Sequence, residues 1–253
     1  MKLNMVAPRT GVEWVKLGLR TFFRQPLALA GLFFMYMTAV LVLSAIPVIG
    51  AIIGGMLVPA ATLGLMAASA EASRGRFPMP SVLLSAFRAG RQRARAMLVL
   101  GAIYTTGSII ATGLATLIAG APQASQAGQF DPAVLLALLF HAPLFLMFWH
   151  APALVHWHGV SPAKSLFFSA VAVLRNFGAH FVFGLGWLLL FLATGSVFGL
   201  LGGVLGGPAL AQAMMMPMAL LLAAMFSCSI YFSFRDSFTG DDGSVPTEPG
   251  PAN

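Results

Sequence analysis

The sequence predicts an all-α fold, a polytopic transmembrane helical bundle. Only 8% of the 253 residues are charged, whereas about 25% are charged in an ordinary soluble domain. Hydrophobic residues make up 58% of the chain, and no charged residue lies between Gln25 and Ala70. A soluble domain needs surface charge to stay dissolved, so the composition excludes a soluble enzyme, a disordered chain and a coiled coil. The apolar runs are continuous, which excludes the alternating strands of a transmembrane β-barrel.

Six spans follow from the lengths of the apolar runs. A transmembrane helix needs about 20 largely apolar residues, so the first uncharged run holds two spans, divided at Pro47 and Gly50. The turn between the last two spans is predicted at a segment of glycines and one proline, Gly202, Gly203, Gly206, Gly207 and Pro208. The predicted spans are residues 27–46, 48–70, 96–119, 132–157, 177–201 and 210–234.

These spans form one predicted membrane domain, residues 1–234. The remaining segment, 235–253, is rich in Gly, Pro and Asp and is expected to be a disordered cytoplasmic tail. Met1 to Lys16 contains no apolar run, so no cleaved signal peptide is expected.

The distribution of Lys and Arg predicts the orientation. With six spans, all 14 basic residues fall in segments on one side of the membrane. Basic residues are enriched in cytoplasmic segments, so both termini are predicted to be cytoplasmic. The net charge of +7 is therefore a topology signal, and no nucleic-acid partner is expected.

A basic amphipathic stretch precedes each pair of spans, so the bundle is predicted as three hairpins, each introduced by a cytoplasmic interfacial helix. The second and third stretches align with a constant offset, Pro78 with Pro162 and Arg91 with Arg175, which suggests repeated units. Ordinary juxtamembrane helices are the alternative. The candidate lipid-headgroup or partner-binding residues on these stretches are Lys16, Arg20, Arg24, Arg88, Arg91, Arg95, Lys164 and Arg175. Arg88, Arg91 and Arg95 are expected to share one helix face. Basic residues at a membrane surface attract anionic headgroups, although they could serve only to set the topology.

Span four is the best candidate for a broken, functional helix, because the sequence His-Ala-Pro occurs in it twice, at His141 and at His150. Pro143 and Pro152 free backbone carbonyl groups that neighbouring helices or water must satisfy. At 100° per residue the two histidines lie on opposite helix faces, so no metal site is predicted. Histidines hydrogen-bonded between helices are the simpler alternative to a functional site.

Span three carries a polar stripe at helical spacing, formed by Thr105, Ser108, Thr112 and Thr116. Thr105, Ser108 and Thr112 of this stripe, with His141 and His150, form a candidate intramembrane polar site that could line a hydrophilic path. Hydroxyl side chains also join helices or bond their own backbone, and this second role is the more common one.

Enzyme signatures are absent from the sequence. It contains no His-Glu-x-x-His, Gly-x-Ser-x-Gly or P-loop motif. Asp131 is the only charged residue predicted on the outer face, which leaves almost nothing for acid–base chemistry there. We therefore predict neither an enzyme nor a cofactor.

Three motifs carry a resemblance to a known family: Gly11-x-x-Trp14 with Gly18, Phe22 and Pro26, then Ala151–Leu154, then the segment from Lys164 to Asn176. With these motifs the chain resembles a proteobacterial family of multi-pass inner-membrane proteins without an assigned activity. More loosely, it is similar to the membrane domain of glycerophosphodiester phosphodiesterases. The resemblance implies the bacterial inner membrane and assigns no catalytic residue.

Two hypotheses about function remain. The first is a non-enzymatic scaffold or accessory protein, which engages anionic phospholipid, another copy of itself or a membrane-protein partner. The alternative is a transporter of a small molecule or lipid, which uses the broken span four and the polar stripe of span three.

A reporter enzyme that is active only in the periplasm tests the orientation. Fused after Gly90 it is expected to stay inactive, because six arginines lie between residues 74 and 95 and hold this loop in the cytoplasm. Fused within the loop 121–131, which has no Lys or Arg, it is expected to be active. Activity at position 90 would overturn the orientation.

Overall fold

The structure, a computed structural model, describes residues 2–121 and 131–239 and is almost entirely helical in these ranges. The α-helices are α1 (Thr10–Arg24), α2 (Pro26–Ser44), α3 (Ile49–Ser73), α4 (Ser85–Arg88), α5 (Arg91–Ala119), α6 (Pro132–Phe148), α7 (Ala151–His158), α8 (Pro162–Arg175), α9 (Phe177–Leu205) and α10 (Gly207–Ser237). A 3₁₀ helix covers Pro80–Leu84, and two short strands are β1 (Lys2–Leu3) and β2 (Phe238–Thr239).

Within the described ranges, 6 segments are long and apolar enough to cross a membrane. They are Pro26–Leu43, Ile49–Ser73, Arg91–Ala119, Pro132–His158, Phe177–Leu205 and Ala209–Ser237. Each overlaps one predicted span, so the all-α six-span fold is confirmed. Helical segments that are not spans precede each pair: α1, the segment from Pro80 to Arg88, and α8.

Several helices are longer than predicted. The turn expected at residues 202–208 is shorter, because α9 continues to Leu205 and α10 begins at Gly207. Gly202 allows this, since a side chain there would collide with the backbone of Ala211. At the other end, α10 continues to Ser237 and Phe238 is in a strand. The expected disordered tail is therefore wrong for residues 235–239, while 240–253 lie outside the described residues.

The basic stretch before the third span is divided rather than continuous. Helix α4 ends at Arg88, and α5 begins at Arg91. Gly90 between them has a φ of 95°, in the left-handed region that glycine adopts without a Cβ clash. The spacing predicts that Arg88 shares a helix face with Arg91 and Arg95. This prediction is wrong, because Arg88 belongs to α4 and the other two arginines belong to α5.

The described residues fall into two compact units. Unit 1 comprises residues 2–37, 64–83 and 175–239. Unit 2 comprises residues 38–63, 84–121 and 131–174.

In unit 1, α1 packs against α9 and α10 through its small residues. A Cβ atom on Gly11 would collide with the carbonyl oxygen of Ala179, and one on Gly18 would lie 2.5 Å from the Cβ of Ser229. Trp14 is 0% exposed and contacts the ring of Phe183 edge-on. The glycine-tryptophan motif thus forms the contact face of α1.

The two ends of the described chain meet in unit 1. Strands β1 and β2 pair antiparallel, with Leu3 opposite Phe238. Asn176 bridges the N-terminal segment, because its Oδ1 accepts from the Val6 amide at 2.9 Å and its Nδ2 donates to the Asn4 carbonyl at 3.0 Å. These bonds hold the segment before α1 against the start of α9 and the end of α10.

Unit 2 has a core of buried apolar residues from α3, α5, α6 and α7. Leu63, Leu100, Phe148 and Ala151 belong to this cluster. Close approach again depends on glycine, since a Cβ on Gly101 of α5 would collide with the Met56 carbonyl of α3. The core therefore joins the first part of α3 to the span formed by α6 and α7.

Replacing Gly18 tests the packing of α1. Gly18→Ala is expected to destabilise the protein by about 1–3 kcal/mol, because the added methyl group meets Ser229 and overpacking costs energy. Gly184→Ala is the matched control, since a Cβ there has no neighbour within 4 Å. Unfolding of both variants in mixed micelles gives the comparison, and equal stability of the two variants would contradict the contact.

Candidate functional site

The fourth span is broken where α6 gives way to α7, at Trp149 and His150. The hydroxyl of Ser169, on α8, spans this break. It accepts a hydrogen bond from the His150 amide at 2.9 Å and donates to the Leu146 carbonyl at 2.9 Å. One side chain thus satisfies a donor and an acceptor on the two sides of the break.

Pro152 explains why the span breaks there. It lies in the first turn of α7, where its missing N–H costs no helical hydrogen bond, whereas inside a helix its ring would clash with the carbonyl four residues earlier. Pro143, by contrast, lies inside the continuous helix α6. Of the two prolines that could bend this span, only Pro152 therefore lies at the break.

His141 is paired with the polar stripe of the third span. Its Nε2 lies 3.1 Å from Ser108 Oγ, and its Nδ1 lies 2.7 Å from the Ala137 carbonyl oxygen. A carbonyl only accepts, so Nδ1 carries a proton and donates to Ala137, while Nε2 pairs with the Ser108 hydroxyl. Of the candidate intramembrane residues, the structure brings these two together.

The rest of the stripe does not line a common polar surface. Thr105 is buried, and its hydroxyl donates to its own helix, to the Gly101 carbonyl at 2.9 Å. Thr112 and Thr116 are exposed, and Thr116 donates to the Thr112 carbonyl. These contacts agree with hydroxyl groups that bond their own backbone.

His150 is 0% exposed and His156 is 2% exposed, so both imidazoles are enclosed in unit 2. In the described ranges, no group of three His, Cys, Asp or Glu residues could hold a metal ion. That the histidines of span four form no metal site stays a prediction.

The basic candidates lie on exposed faces. On α1, Lys16, Arg20 and Arg24 are exposed, whereas the opposite face is buried against its neighbours. Lys16 pairs with Glu13 at 3.2 Å. The remaining candidates, Arg88, Arg91, Arg95, Lys164 and Arg175, are also exposed.

Four arginines surround one pocket in unit 1. Arg20 and Arg24 come from α1, Arg74 follows α3, and Arg235 lies in the last turn of α10. The pocket has a volume of about 390 Å³. Its other lining residues are Leu17, Thr21, Ser73, Tyr231 and Phe232.

Contacts with the walls hold these arginines in place. Arg24 Nη1 donates to the Ser73 carbonyl at 2.8 Å, which ties α1 to the end of α3. Arg235 donates through Nε to Asp236 Oδ1 at 2.8 Å. Asp236 Oδ2 accepts from Trp14 Nε1 at 2.9 Å, so one carboxylate links α1 to the arginine of α10. Arg74 is hydrogen-bonded to Tyr231.

The sequence alone does not predict this grouping. Arg74 and Arg235 contribute only to the charge distribution that predicts the orientation, and no sequence pattern points to Tyr231 or Asp236. The sequence offers one signal for it: Arg74 and Arg235 each follow a predicted span, on the side of the membrane where the stretch before span one is also predicted. The sequence contains no spacing that relates residues 20, 74 and 235.

These helices and this pocket define a multi-pass helical membrane protein with an arginine-lined cavity at the ends of two spans. A protein of Burkholderia thailandensis named "Probable inner membrane protein" is 36% identical to the chain over 267 aligned residues, which cover 98% of each. No family model and no solved structure matches the sequence.

The chain therefore belongs to the family of this inner-membrane protein. The predicted multi-pass, inner-membrane character is confirmed. The looser likeness to the membrane domain of glycerophosphodiester phosphodiesterases stays a prediction.

Two buried serines of α8 test the bridge across the break. Ser169→Ala is expected to cost about 1–3 kcal/mol of stability, because it leaves the His150 amide and the Leu146 carbonyl without this partner. Ser165→Ala should cost less, since Ser165 bonds only its own helix, at the Pro162 carbonyl. Unfolding in mixed micelles measures both, and an equal effect would argue against the bridge.

Proposed function

We propose that the protein is a non-enzymatic scaffold or accessory protein of the bacterial inner membrane, which engages anionic phospholipid through its basic cytoplasmic face. The observation that carries this proposal is the one-sided exposure of α1. Arg20 and Arg24 are exposed, while Trp14, Val15 and Phe22 on the same helix are buried.

In the predicted six-span topology, the ends of the spans add further basic residues on the cytoplasmic side. Six crossings alternate, so every segment that precedes an odd span or follows an even span lies on one side of the membrane. These segments carry Arg24 before α2, Arg74 after α3, Arg91 at the start of α5, Lys164 after α7, Arg175 before α9 and Arg235 near the end of α10. Cytoplasmic leaflets hold anionic lipid that attracts such residues.

The absence of catalysis is part of the proposal, and the roles of three of the four described carboxylates support it. Asp131 caps α6 by accepting from the Ala133 amide at 2.8 Å. Asp236 bonds Trp14 and Arg235, and Glu13 pairs with Lys16. Each of these three already serves a helix cap, a packing contact or a surface ion pair.

Association with another membrane protein, or with a second copy, is also part of this proposal. Gly195, Gly199 and Gly203 recur on α9 at four-residue spacing, and a Cβ on any of them would have no neighbour within 4 Å. Small residues of this kind let a second helix approach closely.

The transporter alternative has weaker support. It needs His141 and the polar stripe to face one path, as polar groups of transport sites do. His141 instead satisfies both ring nitrogens with Ser108 and its own helix, while Thr112 and Thr116 are exposed on the outside of unit 2.

The exposed arginines of unit 2 test the lipid proposal. The triple variant Arg88→Gln, Arg91→Gln, Arg95→Gln is expected to lower the ratio of retained phosphatidylglycerol to phosphatidylcholine several-fold, because each lost charge weakens the attraction to anionic headgroups. Native mass spectrometry after mild-detergent purification measures the retained lipids.

The corresponding triple Lys variant is the control. It keeps the charge and should retain phosphatidylglycerol nearly as well as the unaltered protein. An unchanged ratio in the Gln variant would remove the lipid claim for this segment.

A further inference from the structure

The arginine-lined pocket of unit 1 brings like charges together from distant parts of the chain. Arg20, Arg74 and Arg235 belong to α1, the end of α3 and α10. Like charges repel, and more strongly near a low-dielectric membrane interior than in water. Arginines outnumber the described carboxylates nearby, which are Asp236 beside Arg235 and Glu71 one turn before Arg74. The pocket therefore carries an excess of positive charge that an anion would offset.

The donors in this pocket suit a phosphate group. A guanidinium presents a rigid fork of N–H donors that matches two phosphate oxygens. Arg20 makes no ion pair with the described residues, and Arg24 uses Nη1 for the Ser73 carbonyl, which leaves its other nitrogens to donate. Thr21 and Tyr231, which carry hydroxyl groups, also line this pocket.

We infer that this pocket binds a phosphate group, carried either by the headgroup of an anionic phospholipid or by a soluble phosphoester. The inference deepens the proposed function, and its lipid form rests on that proposal. It differs from general surface attraction because it requires Arg20, Arg24, Arg74 and Arg235 to act on one ligand.

The position and size of the pocket favour the lipid source. It lies at the ends of the candidate spans Ile49–Ser73 and Ala209–Ser237, where lipid headgroups meet the hydrocarbon. Its volume of about 390 Å³ falls in the range of small-molecule sites, about 300–1,000 Å³, and exceeds what a single ion needs. Leu17 and Phe232 give it apolar walls, suited to the glycerol end of a lipid.

Two double variants with equal charge loss separate a pocket from a charged surface. The pocket variant is Arg20→Gln with Arg24→Gln, and the control is Lys2→Gln with Arg9→Gln, whose residues neither line the pocket nor belong to the candidate headgroup-binding set. All four side chains are exposed, so the full-length protein is expected to fold in each variant. Thermal unfolding in neutral detergent checks this.

Binding is measured on the full-length protein by native mass spectrometry, with titrations of phosphatidic acid, phosphatidylcholine, glycerol phosphate and inorganic phosphate. The pocket variant is expected to bind phosphatidic acid at least about fivefold more weakly than the unaltered protein, because each lost arginine removes a contribution of this order. The control is expected to bind within about twofold of the unaltered protein, because Lys2 and Arg9 do not line the pocket.

A conservative variant adds a measurement, the preference between two anionic lipids, that does not depend on charge alone. Arg20→Lys with Arg24→Lys keeps both charges and removes both forks. It is expected to lose the preference for phosphatidic acid over phosphatidylglycerol, because a phosphomonoester offers more oxygens to paired donors than a phosphodiester. An unchanged preference would overturn the assignment of a forked site.

The remaining outcomes distinguish a lipid headgroup from a soluble phosphate, and they separate failure of the pocket from failure of the proposed function. Competition by glycerol phosphate or inorganic phosphate assigns the pocket to soluble phosphate, and lipid binding without competition assigns it to the headgroup. Equal losses in the two double variants would overturn the pocket while leaving a lipid-binding surface. If the unaltered protein binds phosphatidic acid no better than phosphatidylcholine, the proposed function fails, and the soluble-phosphate titrations alone then decide the inference.

Discussion

The requirement that buried backbone groups find partners within the protein governs most of this structure. In hydrocarbon, each unsatisfied N–H or C=O group costs several kcal/mol, so the apolar runs form helices that are nearly uninterrupted. The exception is the break in the fourth span, and it exists where a neighbouring helix supplies Ser169 to both sides of it. The same requirement turns Thr105 and Thr116 toward the carbonyls of their own helix rather than toward a shared polar path.

That requirement also places the charges. Ionised groups are confined to the ends of spans, where they remain hydrated, and the packing of α1 then decides which of them meet. Gly11 and Gly18 let α1 lie close against α9 and α10, and the bond from Trp14 to Asp236 fixes its register on α10. With that register, Arg20 and Arg24 reach the pocket that Arg235 also lines. A packing motif of glycine and tryptophan is thus the physical cause of the arginine cluster.

Local patterns predicted the helices but not the contacts between them. The long uncharged runs sufficed for six spans, because length and composition decide whether a helix can cross a bilayer. The ends of the helices were less predictable. Helix α5 begins at Arg91, and α10 continues past Arg235 to Ser237, because charge alone does not end a helix. The pairing of Arg20 with Arg74 and Arg235, and of Ser169 with His150, depends on tertiary packing between segments far apart in sequence, for which a single sequence contains no spacing rule.

The antiparallel pairing of Lys2–Leu3 with Phe238–Thr239 has a consequence for biosynthesis. All the described residues of unit 2 precede residue 175, whereas unit 1 combines residues 2–37 and 64–83 with residues 175–239. The glycine face of α1 leaves the ribosome early, yet its partners α9 and α10 are the last helices to be made. Unit 2 can therefore form its core during translation, while α1 can complete its contacts with α9 and α10 only when synthesis of the chain is nearly finished.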